Sequence, residues 1–326
     1  MPAAAVETEV IKDAVSSACR APSLHNSQPW QWLFNGGELR LFLDPSRVTE
    51  TDQSAREALI GCGATLDHLR VAMAAAGWHA NVDRFPDPTN PNHLASIDFS
   101  PVDGVTERDR LRAKAIWARR SDRLPFSGPT DWTAFEPVVT RSVSDFPVRV
   151  NSLSDDLRPR IVQAAHIAES LRFYDIPYNN ELHWWTAPFE ASDGIPYSAL
   201  VSAAENDRVG MGRAFPAIHQ PERRIQIPRD HAKILLLTTD DDSHAAALAS
   251  GEALSAVLLE CTLAGLATCP VTHLTEVRVT RELIQSLIDY DAVPQVLVRV
   301  GVVPVTEKAP PPTPRRPLSD VLRFES

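Results

Sequence analysis

A short run near the N-terminus, from Arg20 to Trp30, constrains the fold more than any other part of the chain. Its sequence is RAPSLHNSQPW, in which Pro22 and Pro29 end helices and fix turns. The hydrogen-bonding residues between the two prolines are Ser23, His25, Asn26, Ser27 and Gln28. Because the run lies between a helical pattern and an apolar strand, it predicts a polar turn at a helix–strand junction. The residues alone allow either a plain helix end or a ligand-contacting loop.

Composition limits the class of protein. The chain has 326 residues, of which 44% are hydrophobic, enough for one large domain or two ordinary ones. A net charge of −10 argues against a nucleic-acid surface. The four cysteines form no C-x-x-C pair or disulfide framework, which fits a reducing cytoplasm. We see no signal peptide, and we expect no membrane span because no apolar stretch approaches about 18 residues.

Hydrophobic periodicity predicts alternating helices and strands. In the first part, strands at 30–34 and 39–43 form a hairpin closed by Asn35-Gly36-Gly37. The predicted helices of this part are 7–20, 54–76 and 107–118, and a further strand is 94–99. In the second part, the predicted helices are 132–142, 155–172, 244–265 and 279–289, and the strands are 233–239 and 293–303.

The two longest predicted helices align at their ends. Gly63, Leu66, Ala76 and Gly77 fall opposite Gly251, Leu254, Ala264 and Gly265. Four identities between helix-rich segments are compatible with an internal duplication and also with coincidence.

A cluster of arginines lies in the middle of the chain. Arg119, Arg120, Ser121 and Arg123 place three guanidiniums and a hydroxyl within five residues. Arginine presents paired planar donors that match phosphate oxygens, so the cluster suits a phosphate group. A solvated basic turn is the alternative explanation of the same residues.

Three common enzyme classes find no support. The run Gly61-Cys-Gly63 lacks a third glycine and lies inside a helical pattern, which argues against a dinucleotide fingerprint. The histidines are dispersed with no H-E-x-x-H, and G-x-S-x-G is absent, so a zinc enzyme and a serine hydrolase are unsupported.

Four segments together resemble the nitroreductase family. The pattern A-P-S-x-x-N-x-Q-P-W of residues 21–30 is similar to the flavin-contacting segment of that family. Residues 119–123 are similar to its phosphate-binding motif R-R-S-x-R, which in that family lies at the start of the chain. Residues 265–269 resemble its G-L-G-T-C, with Ala267 in place of the usual glycine. The tail at 314–321 resembles its C-terminal phosphate-binding element, with Arg315 better aligned than Arg316.

The resemblance implies an α+β nitroreductase-like fold, built as a single-chain pseudo-dimer of two fused halves with central mixed β-sheets flanked by helices. The halves would be residues 1–112 and 113–326 and would fold as one body, so we expect a monomer. Only one FMN site would survive, because one half supplies residues 20–28 and the other supplies the remaining motifs. The resemblance is closest to the Acg-type branch, the dormancy-associated nitroreductase-like proteins of actinobacteria.

In function, the resemblance implies an FMN-binding, NAD(P)H-dependent flavin oxidoreductase that acts on a small-molecule acceptor. A non-catalytic protein that stores or shields FMN would use the same motifs, and a purely structural protein would be colourless. The cofactor itself carries the redox chemistry, so no catalytic residue is assigned. His25 is either a proton donor or a hydrogen-bonded positioning residue.

The residues that the resemblance assigns to FMN come from four segments. The phosphate would contact Arg119, Ser121, Arg123 and Arg315. The ring and ribityl chain would contact Pro22, Ser23, His25 and Asn26. Because proline has no N–H, the backbone donor to flavin N5 would follow Pro270. The full set is Arg20, Pro22, Ser23, Leu24, His25, Asn26, Gln28, Arg119, Arg120, Ser121, Arg123, Pro270, Val271, Thr272, His273, Arg315 and Arg316.

Residues 173–230 are rich in aromatic residues and arginines. A long segment of this kind in a compact domain is usually functional, often a lid. We expect it to fold over the exposed face of the flavin; alternatively, its aromatic residues fill the core of the second half.

Overall fold

The computed structural model of the chain describes residues 6–187, 193–216, 221–305, 307 and 311–325. Nine strands form two sheets in these residues: β1 (Trp30–Phe34), β2 (Leu39–Leu43), β3 (Trp78–Arg84), β4 (His93–Pro101), β5 (Arg149–Leu153), β6 (Lys233–Thr239), β7 (Ala267–Val271), β8 (Val293–Gly301) and β9 (Leu322–Phe324). The first sheet has the order β3-β4-β2-β1-β9 and the second the order β5-β6-β8-β7. All described strand pairs are antiparallel except β1 with β9, so the fold is mixed α+β.

Eleven α-helices of the described residues pack on these sheets. They are α1 (Thr8–Ala18), α2 (Arg56–Ala75), α3 (Glu107–Ala118), α4 (Trp132–Ser142), α5 (Arg158–Arg172), α6 (Ile176–Trp185), α7 (Ala203–Val209), α8 (His244–Leu263), α9 (His273–Glu276), α10 (Arg278–Gln285) and α11 (Leu318–Val321). Helix α2 lies against the first sheet, α8 lies against the second, and the two helices pack on each other. One continuous apolar core therefore joins both sheets through the two long helices.

The hairpin β1–β2 confirms the sequence prediction at both of its strands. Buried residues alternate along each strand, because one face packs on the core. The Asn35 side chain accepts hydrogen bonds from the backbone N–H groups of Gly37 and Glu38, and Gly36 takes a positive φ of 88°. Asparagine and glycine thus close the turn for the reasons that the sequence suggested.

Helices α2 and α8 cross at two glycines. A Cβ atom built on Gly63 would lie 1.9 Å from the carbonyl oxygen of Leu248, and one built on Gly251 would lie 2.0 Å from that of Ile60. The two backbones therefore approach each other as closely as glycine alone permits. Of the residues that aligned in sequence, Gly63 and Gly251 are in direct contact in the fold.

Helix α8 corrects one expectation. By length and composition it could cross a membrane, although the sequence suggested no stretch of about 18 apolar residues. However, 89% of its apolar window is buried inside the protein. Its apolar surface packs on α2 and on the second sheet, as in a core helix.

The pattern analysis missed strands β3, β5, β7 and β9. Strand β3 lies largely exposed at the edge of the first sheet, and the alternation of Trp78, Ala80 and Val82 with polar residues was overlooked. Strand β7 is five residues long and was interpreted as a turn. Strand β9 has three residues and pairs with β1 across almost the whole chain length. The predicted helix 279–289 is shorter, ending at Gln285.

Candidate functional site

The main candidate site is a cavity of about 900 Å³, counted with its open mouth, between the N-terminal loop, helix α2 and the end of β7. Residues from the three predicted regions line it together: Pro22, Ser23, Leu24, His25, Ser121, Arg123, Pro270, Val271, Thr272 and His273. Three stretches that are far apart in sequence thus face one space.

The loop before β1 is held in an uncommon backbone conformation. His25, Asn26 and Gln28 have positive φ values of 51°, 61° and 51°. Non-glycine residues rarely adopt this region, and such strain concentrates at functional sites. The Ser23 hydroxyl accepts a hydrogen bond from the Gln28 N–H at 2.9 Å, which stabilises the turn.

Asn26 and Gln28 connect this loop to other segments and do not line the cavity. The Asn26 side chain donates to the carbonyl oxygens of Gly194 at 3.1 Å and Pro314 at 3.2 Å. The Gln28 side chain accepts from the N–H of Arg316 at 2.9 Å. Both side chains therefore fix the C-terminal tail against the loop.

Four arginines from three segments gather beside the cavity wall at Ser121. They are Arg20, Arg119, Arg120 and Arg315, and none of them forms an ion pair within the described residues. Burial, together with the charges of Arg120 and Arg20, lowers the pKa of Arg119 to about 10. Burial and the charges of Arg20 and Arg119 likewise hold the pKa of Arg315 well below its usual range. Buried cations without carboxylates are costly, so the cluster is built for an anion.

The donor groups of this cluster are only partly used. All three guanidinium nitrogens of Arg315 donate to backbone carbonyl oxygens: Nε to Cys19 at 2.8 Å, Nη1 to Thr313 and Pro314, and Nη2 to Arg20 at 3.0 Å and Ala21 at 3.1 Å. Arg119 donates from Nη2 to the Arg20 carbonyl at 3.3 Å, while its buried Nε and Nη1 have no partner among the described residues. Unpaired buried donors are rare in folded proteins and mark a place for a missing acceptor.

Arg316 lies apart from the cluster. Its Nη1 is 3.9 Å from Asp44 and donates to the Gln28 carbonyl at 3.3 Å, and its Nη2 donates to the Asp320 carbonyl at 3.0 Å. Of the two tail arginines, Arg315 therefore belongs to the cluster and Arg316 does not, and neither lines the main cavity.

Comparison with known proteins assigns the family. No family model matches the chain. A protein of Mycobacterium tuberculosis named "Putative NAD(P)H nitroreductase acg" is 56% identical over 327 residues, covering 100% of this chain and 99% of that protein. The chain belongs to the Acg-type nitroreductase-like family. A second protein of that organism, "Putative NAD(P)H nitroreductase Rv3131", is 35% identical over 98% of this chain and 92% of its own length. Among solved structures, the FMN-dependent nitroreductase NfnB from Mycobacterium smegmatis aligns with a TM-score of 0.43, at 15% identity, over 68% of this chain and 100% of that one. That score is too low to carry an argument.

The Acg-type chain also places residues in the cavity that the sequence analysis did not identify. They are Glu57, Ile60 and Gly61 of α2, Leu254 of α8, Cys269, Arg299 of β8, and Val201, Asn206, Gly212, Arg213 and Phe215 from the 173–230 segment. Arg299 had a detectable signal, because it is a lone charge in a continuous apolar strand. At Gly61 a Cβ atom would lie 3.2 Å from that of Ser23, so glycine allows the loop to approach α2.

The two cavity histidines of this Acg-type protein are neutral at pH 7. Burial is the main cause that lowers the pKa of His25 to about 3, and the charge of Arg213 adds to it. The same two causes lower the pKa of His273 to about 3. A neutral imidazole can donate a hydrogen bond but is no acid, so His25 fits a positioning role better than proton donation.

Segment 173–230 contributes a second, adjoining cavity of about 830 Å³ between α5, α6 and residues 212–216. Arg213 separates the two cavities, where it pairs with Glu276 and donates to the Tyr178 hydroxyl at 2.8 Å. Several aromatic residues of the segment are exposed, among them Phe173, Tyr174 and Trp184, so they do not fill a core. Phe189 lies outside the described residues.

Proposed function

We propose that this chain binds one FMN in the main cavity and acts as an NAD(P)H-dependent oxidoreductase on small-molecule acceptors such as nitroaromatics. The arginine cluster carries the proposal, because the buried Arg119 has unpartnered donor groups and no ion pair among the described residues, and it adjoins Ser121 and Arg123, which both line the main cavity. The names of the relatives support it. When bound, FMN would supply the hydride-accepting and hydride-donating chemistry.

The chain's own residues would bind and orient this cofactor. Arg119, Ser121, Arg123 and Arg315 would hold the phosphate, since guanidiniums form paired charge-assisted hydrogen bonds to phosphate oxygens. Pro22, Ser23 and His25 would contact the ring and ribityl chain from one side, and residues 271–273 would face them from the other. Asn26 would act indirectly, by joining the loop to Gly194 and Pro314.

We propose further that the chain is a fused pseudo-dimer, with halves at residues 1–112 and 113–326, and that it functions as a monomer in the cytoplasm. The sheet order β3-β4-β2-β1 is matched by β7-β8-β6-β5, with antiparallel pairing throughout both sets. A register shift also falls at the equivalent pair in each sheet, β2 with β4 and β6 with β8. These correspondences, together with the crossing of α2 and α8 at aligned glycines, support an internal duplication.

In this scheme residues 173–230 form a lid over the flavin. The segment lies between β5 and β6, where the first half has only the short turn between β1 and β2. Its Arg213 and Phe215 line the main cavity, and its Asp193 pairs with Arg47 of the first half. Turnover would therefore require the segment to open, and a permanently closed segment would make the protein an FMN store.

The decisive experiment removes the phosphate-binding charges. The double variant Arg119→Ala with Arg123→Ala should lose FMN on desalting, because each hydrogen bond to a charged group is worth about 1.5–3 kcal/mol, which predicts an affinity at least about a hundredfold lower. The matched control changes the exposed Arg110 and Arg278 to alanine, which pair only with neighbours on their own helices. Full retention of flavin absorbance by the first variant would contradict the site.

A second measurement separates the two functions of an FMN protein. NADPH oxidation with a nitroaromatic acceptor should exceed the rate that free FMN supports under the same conditions. A rate equal to that of free FMN, in a protein that retains the cofactor, would instead indicate storage behind the closed segment.

A further inference from the structure

Glu57 is a buried carboxyl on the cavity wall for which cofactor binding provides no reason. It lies in the first turn of α2, is 5% exposed, and lines the main cavity beside Ile60 and Gly61. An ionised carboxylate in such a place is costly unless cations compensate its charge. The charges around Glu57 therefore determine its protonation state.

The immediate neighbours of Glu57 are one cation and one further carboxyl. Arg56 contacts Oε1 of Glu57, and the same guanidinium also donates to the carbonyl oxygens of Gln295 and Thr275, both at 2.9 Å. The carboxylate of Asp52 accepts from the backbone N–H groups of Glu57 and Ala58, at 3.3 and 2.9 Å. These N–H groups at the start of α2 stabilise charge on Asp52.

The surrounding cluster holds more carboxyls than guanidiniums. Among the described residues, Glu57 pairs with Arg56 and Glu276 pairs with Arg213, while Asp52 has no ion pair, so ionisation of all three carboxyls would leave one of them without a paired cation. Glu276 keeps its charge: burial opposes ionisation, but contact with Arg213 lowers its pKa to about 2. Glu57 differs from Glu276: its pKa is raised well above its usual value by burial and by Asp52 and Glu276, against the opposing effect of Arg56, and this shift favours its protonated form.

The remaining titratable groups nearby do not supply a competing acid. Burial also raises the pKa of Glu181 of α6, but this carboxyl does not line the main cavity and accepts hydrogen bonds from Thr51. The imidazoles of His25 and His273 are neutral at pH 7, as described above. The thiol of Cys269 is a weak acid whose pKa burial raises further. Among the described lining residues, Glu57 is the group that carries a transferable proton.

We propose that Glu57 donates the proton that accompanies hydride transfer to the acceptor in this cavity, an inference that rests on the proposed oxidoreductase function. For a nitro acceptor, a hydride that originates from reduced nicotinamide brings two electrons and one hydrogen, and Glu57 brings one proton. One N–O bond breaks, its oxygen leaves as water, and the product is a nitroso compound. The carboxylate of Glu57 then regains a proton from solvent through Asp52, with which it shares a hydrogen bond.

The first test is independent of turnover. Infrared difference spectra of the FMN-loaded protein at pH 7 should show the carbonyl band of a protonated carboxyl that disappears in Glu57→Gln. The control Glu260→Gln changes another buried, arginine-paired carboxyl of α8 outside the cavity, and it should leave the band in place. Absence of the band from the wild-type protein would overturn the proposal.

The second test separates proton-dependent from proton-independent oxidation. After reduction with NADPH, Glu57→Gln should react with a nitroaromatic about 100-fold or more slowly than wild type, which is the usual size of a general-acid contribution. Its rate with ferricyanide, which takes electrons without a proton, and its rate of reduction by NADPH should stay near those of wild type and of Glu260→Gln.

The outcomes distinguish this proposal from the proposed function. An unchanged nitroaromatic rate in a Glu57→Gln protein that retains and reduces FMN would overturn the role of Glu57 and leave the oxidoreductase function intact. A wild-type protein that NADPH reduces but no nitroaromatic oxidises would also overturn it, because no transfer then exists to assist. Equal slowing with ferricyanide would indicate general damage to the site and would equally count against proton donation.

Discussion

The crossing of α2 and α8 makes a strong prediction at Gly63. Replacing Gly63 with alanine would place a methyl carbon 1.9 Å from the Leu248 carbonyl oxygen and 2.9 Å from the Cα of Gly251. Both obstacles are backbone atoms, so no side-chain rotation relieves the clash, and the helices must separate by about 1 Å to restore ordinary contact. Overpacking a core typically costs about 1–3 kcal/mol and sometimes more.

The helix propensity of alanine opposes the clash, so whether Gly63→Ala raises or lowers the stability is informative. Alanine is favoured over glycine in a helix interior by about 0.8–1.0 kcal/mol, so without the close crossing Gly63→Ala would stabilise the protein. We expect a net loss of about 2 kcal/mol or more, because the clash involves the central interface of the core. Urea unfolding followed by circular dichroism measures the change. Gly104→Ala is the control, since its Cβ would meet nothing within 4 Å. A Gly63→Ala protein as stable as wild type would refute the reasoning.

Two further predictions concern buried charge. Asp230→Asn should lower the free energy of unfolding by about 3–5 kcal/mol, because Asp230 neutralises the fully buried Arg299 at 2.6 Å. The control Asp240→Asn changes an exposed ion pair and should lower the free energy of unfolding by less than about 1 kcal/mol. Equal effects of the two changes would contradict the role of Asp230. In the folded protein, burial lowers the pKa of His25 and His273 from 6.5 to about 3. Below pH 6.5 the unfolded chain therefore binds more protons than the folded protein, and the free energy of unfolding falls as the pH drops from about 6.5 towards 3. Each histidine should lower the free energy of unfolding by about 2 kcal/mol between pH 7 and pH 5, which denaturant unfolding at both pH values measures. His273→Gln should reduce this loss of stability, and an unchanged dependence of the free energy of unfolding on pH would refute the lowered pKa of His273.

Local sequence patterns predicted most regular elements. The hairpin β1–β2, strand β6 and helix α3 were predicted at their observed limits, because their signals are local: turn residues, a continuous apolar run, and helical periodicity. Strand β9 was missed because its three residues are too few to show a pattern and are stabilised by pairing with the distant β1, whereas the alternating residues of β3 were overlooked. A strand whose stability comes from its pairing partner leaves only a weak trace in its own sequence.

The candidate site was likewise predicted only in part from the sequence. The motifs at 20–28, 119–123 and 270–273 each contain residues that line the main cavity, and the flavin ligand that they predict stays a proposal. Glu57 and Arg213 were not identified, since a single Glu or Arg in a helix or loop carries no signal of what it will face. The direction of the Asn26 side chain also depended on Gly194 and Pro314, which are distant in sequence.

Sequence alone therefore determined the family, the α+β class and the chemical type of the site, all of which depend on residue identity within short windows. The tertiary structure decided which charges share one buried volume: the unpaired Arg119 with Arg315, and Glu57 with Asp52 and Glu276. The reason is that desolvation and Coulomb interactions depend on distance and burial in three dimensions, and the order of residues along the chain does not encode these directly.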